Sequence, residues 1–204
     1  MRLLSRLRGS LRPEPIATRA ALREFLQERS LLIAQKCAID YCRGKTGLAS
    51  YALFNEKPFL DALEVCRWEA FEAALGDLLI LTEAHLRPFA GPERREPLCD
   101  ALVRLRSDIL AANPLPAHRP QGWSDTHPLF AMRLDLASAQ PTRGAAEVAD
   151  HSARRLFDTL PIHSSMRALD EEVVFGAVRF RMIAVNQELQ RRAAASELVR
   201  ELTA

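Results

Sequence analysis

Residues 58–87 read PFLDALEVCRWEAFEAALGDLLILTEAHLR, and the fold turns on this stretch. At about 100° per residue, Glu69, Glu72, Gly76, Glu83 and Arg87 fall on one narrow polar strip. Phe59, Leu63, Phe71, Leu75, Leu78, Leu79 and Leu86 are among the apolar residues that cover most of the remaining circumference. A helix apolar over so much of its surface belongs inside a bundle. The stretch is therefore the expected central helix, and its acidic strip is the one side expected to meet water. Three polar residues interrupt the apolar surface: Arg67, Asp77 and His85.

Upstream, Thr18 is a candidate N-cap for a helix over 19–43, stopped by Gly44 and Gly47. Its apolar stripe rotates along its length, from Leu22, Phe25, Leu26 and Ile33 to Ala34, Cys37, Ala38 and Cys42. Downstream, the spacing of Leu98, Leu102, Leu105 and Ile109 predicts an amphipathic helix over 96–112, with Arg104, Arg106 and Asp108 outside. NPLPAHRPQG, residues 113–122, carries the strongest loop signal. Helices are expected over 125–139, 145–160 and 166–202. The first half of the last one should be largely buried, and its Arg-rich end should project from the bundle. No β alternation and no internal repeat is present. The reading is all-α: a single-domain helical bundle of about five main helices over 16–204, behind a short basic leader over 1–15.

The leader, MRLLSRLRGSLRP, places Arg2, Arg6, Arg8 and Arg12 among leucines at helical spacing and contains no acid. That pattern suits an anionic membrane surface or a partner protein. No apolar run approaches the ~20 residues a membrane span needs. A net charge of +2, with arginines dispersed among acids, argues against nucleic acid. Only three of the 28 basic residues are lysines, a bias that points to a GC-rich, bacterial genome. The four cysteines form no CxxC pair and sit mostly in apolar helical runs, so they read as reduced thiols of a cytoplasmic protein.

Catalytic signatures fail on spacing. Gly44-Lys45-Thr46 lacks the upstream strand and glycine of a phosphate-binding loop. No G-x-S-x-G elbow occurs. Glu147 and His151 have no second copy with which to build a metal site in a bundle, so neither metal nor cofactor is expected. Asp77, embedded in ALGDLLIL, must be paired, hydrogen-bonded or protonated, because an unpaired buried carboxylate is costly. Arg181 is its expected partner, and Tyr41 a further candidate for lining a pocket there. In the proline-rich loop, His118, Trp123 and His127 are candidates for a lid or recognition element. Two functions follow as expectations. The first is a non-enzymatic helical adaptor or assembly factor that binds another protein, at the cytoplasmic membrane face if the leader anchors it. The second is a helical small-molecule or lipid-binding protein, an enzyme in one version, with its pocket near Asp77.

Overall fold

Thr18 turns its hydroxyl to the Ala21 backbone N–H, 3.2 Å away, and so satisfies one open donor of a helical first turn. The computed structural model describes residues 14–204; Arg2, Arg6, Arg8 and Arg12 of the leader lie outside them. Helix α1 (Arg19–Thr46) continues through Gly44 and stops at Gly47, whose φ of 52° is a left-handed conformation that glycine adopts without steric cost. Its buried residues follow the rotating stripe, from Leu22, Phe25 and Leu26 to Cys37, Ala38 and Cys42.

After a single turn at Ser50–Leu53, α2 (Lys57–Leu86) opens with Pro58 in its first turn, where the missing N–H costs nothing. The remaining long elements are α3 (Arg95–Ala111), α4 (His127–Ala139), α5 (Asp150–Thr159), α6 (Glu171–Arg192) and α7 (Ala195–Leu202). Helix α2 packs against all six of the others, so it is the central helix of an all-α bundle. No helix among the described residues is long and apolar enough to cross a membrane.

The acidic strip of α2 does not face water. Every residue from Glu69 to Glu83 is buried, with Glu69 3% and Glu83 1% exposed. The strip is covered because each acid meets an arginine. Arg119 and Arg155 reach Glu69, Arg106 reaches Glu72, and Arg87 folds back on Glu83. Paired in this way, a carboxylate can be removed from solvent without the penalty of an isolated charge. The same pairing corrects α3, where Arg106 lies inside at 1% exposure rather than on the outer face.

The C-terminal third is also broken where one helix was expected. It comprises a turn at Ser164–Arg167, then α6, then α7. Neither break carries a proline or glycine. At the second, Ile16 donates its N–H to the Arg192 carbonyl at 2.8 Å and accepts from Ala194 N at 2.9 Å. An N-terminal segment thus occupies the backbone positions that would have continued the helix, and Ile16 itself is buried. The chain end does not project, since Leu198, Val199 and Leu202 of α7 are buried. The first half of α6 is buried on one face only: Val174, Phe175, Val178 and Met182 point in, whereas Val173 and Phe180 are exposed.

Candidate functional site

Three segments converge on the middle of α2. Gly76 leaves a low floor there, because a Cβ at this position would meet the Phe130 ring at 3.4 Å and Arg133 Nη1 at 3.7 Å. Helix α4 brings Phe130 and Arg133 to the same point, since the two lie three residues apart on its inward face. Helix α5 brings His151 and Arg155, four apart. The loop between α3 and α4 brings Arg119, Asp125 and Thr126. Together with Glu72 and Ala73 of α2 and Leu129 of α4, they enclose a cavity of about 240 Å³. Among its lining residues, Asp125 and Leu129 are exposed and Arg155 is partly so.

Asp77 lies directly behind this cavity and is fully buried. Its partner is Arg133, with Nη2 donating to Oδ1 at 2.5 Å, and not Arg181. The second oxygen accepts the backbone N–H of Ser152 at 3.0 Å. Ser152 stands in the first turn of α5, so Asp77 serves as a cap donated by another helix, at the end where a negative charge is favoured. Burial raises the Asp77 pKa, while Arg133 and Ser152 pull the other way by stabilising the carboxylate. Arg181 instead reaches Asp40 of α1 at 2.8 Å, and Tyr41 donates to Asp170 at 2.8 Å. Neither lines the cavity. Nearby burial pushes the free Cys37 thiol to about 11 and that of Cys42 to about 12, as expected of thiols serving as core residues.

Glu69 organises the loop. Burial alone would raise its pKa, but hydrogen bonds from Arg119, His118 and Arg155 bring it down to about 2. His118 Nε2 lies 2.8 Å from Glu69 Oε1, and Arg119 Nε 2.6 Å from the same oxygen. Arg119 also stacks over the Trp123 ring at 4.5 Å. Of the three loop candidates, His118 and Trp123 therefore help to pin the loop down. His127 begins α4, on the rim of a second, shallower depression that Leu110, Leu115 and Trp123 also line. Arg106 stands between the two spaces, bonded to Glu72 and to Thr126 Oγ1 and stacked 5.0 Å over Phe130.

Of the three arginines that line the cavity, two are only partly engaged. Arg133 uses Nη2 for Asp77, and Arg155 uses Nε and Nη2 for Glu69. Arg133 Nε and Nη1 and Arg155 Nη1 have no hydrogen-bond partner among the described residues. Between these arginines lies His151, whose pKa burial lowers to about 4, helped by the charges of Arg133 and Arg155 and opposed by Glu72. It is neutral at pH 7 and offers one donor and one acceptor.

Sequence reasoning assigned Glu69 and Glu72 to the solvent side and left Arg106, Arg119, Arg133 and Arg155 without a site role. In the sequence, His151 reads only as a possible metal ligand with Glu147. One signal was available. In HPLFAMRLDLASA, Arg133 falls on the same face as Phe130, Leu134 and Ala137, so a wheel of α4 points its stem inward. No protein-family model, curated protein or solved structure matches the chain.

Proposed function

We propose that the protein is a helical small-molecule binder, and that its ligand is a small organic anion, a carboxylate or phosphate on a compact apolar body. The observation that supports this reading most is the pair of unengaged N–H edges, Arg133 and Arg155, turned toward one cavity beside the Phe130 ring. Guanidinium edges suit the planar, two-oxygen face of such anions, and an aromatic wall suits the remainder. The space of about 240 Å³ corresponds to roughly eight waters at ~30 Å³ each. That favours a small metabolite over a lipid. Binding rather than catalysis fits the lining, whose single hydroxyl, on Thr126, already donates to the Trp123 carbonyl and accepts from Arg106. The free buried thiols support a reducing compartment, and hence the cytoplasm.

The adaptor reading has lost one basis, since the C-terminal end packs down, and its leader lies outside the described residues. The binder is tested by following the His151 side chain by NMR during titration with benzoate and phenyl phosphate. A bound anion favours imidazolium, so the expected result is a saturable shift and an upward movement of the His151 pKa from about 4. Gly76→Ala, which the packing accepts, should weaken binding several-fold by raising the cavity floor. Arg155→Gln should weaken it at least tenfold, about the contribution of one charge-assisted hydrogen bond. No saturable change with either compound at millimolar concentration would refute the reading.

A further inference from the structure

Of the acids around the cavity, Glu69, Asp77 and Asp125 are fully engaged. Both oxygens of Glu69 and both of Asp77 accept hydrogen bonds, and both of Asp125 accept from Arg119. Glu72 differs. Its Oε1 accepts from Arg106, while its Oε2 has no donor among the described residues. That oxygen is not sealed in the packing as Arg106 Nε is, so the space it faces is the cavity that Glu72 lines. The residue is only 8% exposed, and a carboxylate oxygen so removed from bulk solvent is costly to leave without a donor. Glu72 stands one turn before Gly76 on α2, its Cβ about 5–6 Å from the place a Gly76 Cβ would take. Arg133 Nη1 lies 3.7 Å from that same place. An open acid and an open guanidinium edge thus flank one floor. They are not paired with each other, since Glu72 pairs with Arg106 and Arg133 with Asp77.

We propose that the carboxylate held in this cavity carries an ammonium on its adjacent carbon, so that the ligand is an α-amino acid with a compact apolar side chain and Glu72 Oε2 accepts from the ammonium. The inference rests on the reading of the cavity as a carboxylate site and names the class of molecule that fills it. Charge supports the class. Arg106, Arg119, Arg133 and Arg155 already balance Glu69, Glu72, Asp77 and Asp125. A simple carboxylate would therefore enter as an unmatched negative charge beside Glu72, which is unfavourable out of water. A zwitterion adds no net charge, and its two charged groups meet the open acid and the open guanidinium edges together. The Phe130 ring receives the side chain. Three attachments of different chemistry also distinguish the two hands of the ligand. A hydroxyl in place of the ammonium would give Glu72 a donor without the compensating charge.

The test compares phenylglycine with three relatives: phenylacetate, which lacks only the ammonium; mandelate, which has a hydroxyl in its place; and benzylamine, which lacks the carboxylate. Each is titrated into the full-length chain while the His151 side chain is followed by NMR. Phenylglycine is expected to bind at least about tenfold more tightly than phenylacetate, as one additional charge-assisted hydrogen bond provides, and one of its enantiomers more tightly than the other. Glu72→Gln should abolish the preference for phenylglycine while phenylacetate still binds. If circular dichroism shows that variant unfolded, Glu72→Gln combined with Arg106→Met removes the buried pair from both sides and repeats the measurement. Phenylacetate binding as tightly as phenylglycine, or a preference that survives loss of the Glu72 carboxylate, overturns the inference and leaves the carboxylate reading of the cavity standing. Mandelate binding as tightly as phenylglycine would make the ligand a hydroxy acid and overturn it equally. Benzylamine matching phenylglycine, or no saturable change with any of the four, removes the carboxylate reading and the inference with it.

Discussion

Replacing Arg133 with methionine keeps most of the apolar stem and removes the one charge that compensates Asp77. Asp77 is fully buried and would retain only the Ser152 N–H, at 3.0 Å. Breaking a buried pair from one side costs about 3–5 kcal/mol, because the remaining charge is left uncompensated. For a domain of this size each kcal/mol lowers Tm by about 2–4 °C, so the expected loss is roughly 6–20 °C at pH 7. The deficit should also depend on pH in a definite direction. Without Arg133 the folded-state pKa of Asp77 climbs further above its unfolded value, which burial already favours. A raised folded pKa means that the protonated form is the stable one inside. Stability relative to wild type is then regained at low pH and lost as pH rises through the folded pKa. Thermal and urea unfolding of both proteins across the acidic and neutral range measures this, and the titrations common to both cancel in the difference. A deficit below about 1 kcal/mol at pH 7, or one that does not shrink on acidification, would refute the ion pair as the factor that makes Asp77 tolerable in the core.

Three further outcomes follow from the structure. His151 has a folded pKa of about 4 against an ordinary 6.5, so the unfolded chain binds the extra proton first. Stability should therefore fall by up to about 3 kcal/mol as pH drops from 6.5 to 4, and His151→Asn should flatten that part of the profile. Glu69, depressed to about 2, should contribute a separate loss between its unfolded pKa and pH 2. Ile16→Ala should cost about 2–4 kcal/mol through its buried side chain. Hydrogen exchange should then rise across residues 193–202, because the Ile16 backbone holds the junction before α7.

The all-α class and the central place of α2 were legible in the sequence because they depend on period and composition, which are local. The same holds for the Thr18 cap and the Gly47 stop. The acidic strip was misread for a physical reason. Whether Glu69 faces water depends on Arg119 and Arg155, fifty and eighty-six residues away, and no local pattern carries that information. The break between α6 and α7 is a similar case. Ala193 and Ala194 are strong helix formers, and pairing with Ile16, almost at the other end of the chain, takes them out of the helix. The need of Asp77 for a partner is legible in the sequence, but its identity is not, since Arg181 qualifies by sitting in a similarly apolar helix. Arg133 had the same property, and its α4 lies on the face of α2 that Asp77 points to.

Bulk charge also concealed the site. A total of +2 removes any long-range case for an anionic partner, and around the cavity the count is balanced too, with Arg106, Arg119, Arg133 and Arg155 against Glu69, Glu72, Asp77 and Asp125. Charge balance is not hydrogen-bond balance. Each guanidinium carries five N–H donors in a fixed fork, and a carboxylate partner on one edge leaves the rest of the fork aimed elsewhere. The buried acids fix the arginines and cancel their field, while the unengaged N–H groups keep their direction. A ligand meeting such a wall gains from short, oriented hydrogen bonds more than from attraction at a distance. Selection among anions should therefore depend on shape at the Phe130 wall and on where the oxygens fall, and only weakly on total charge.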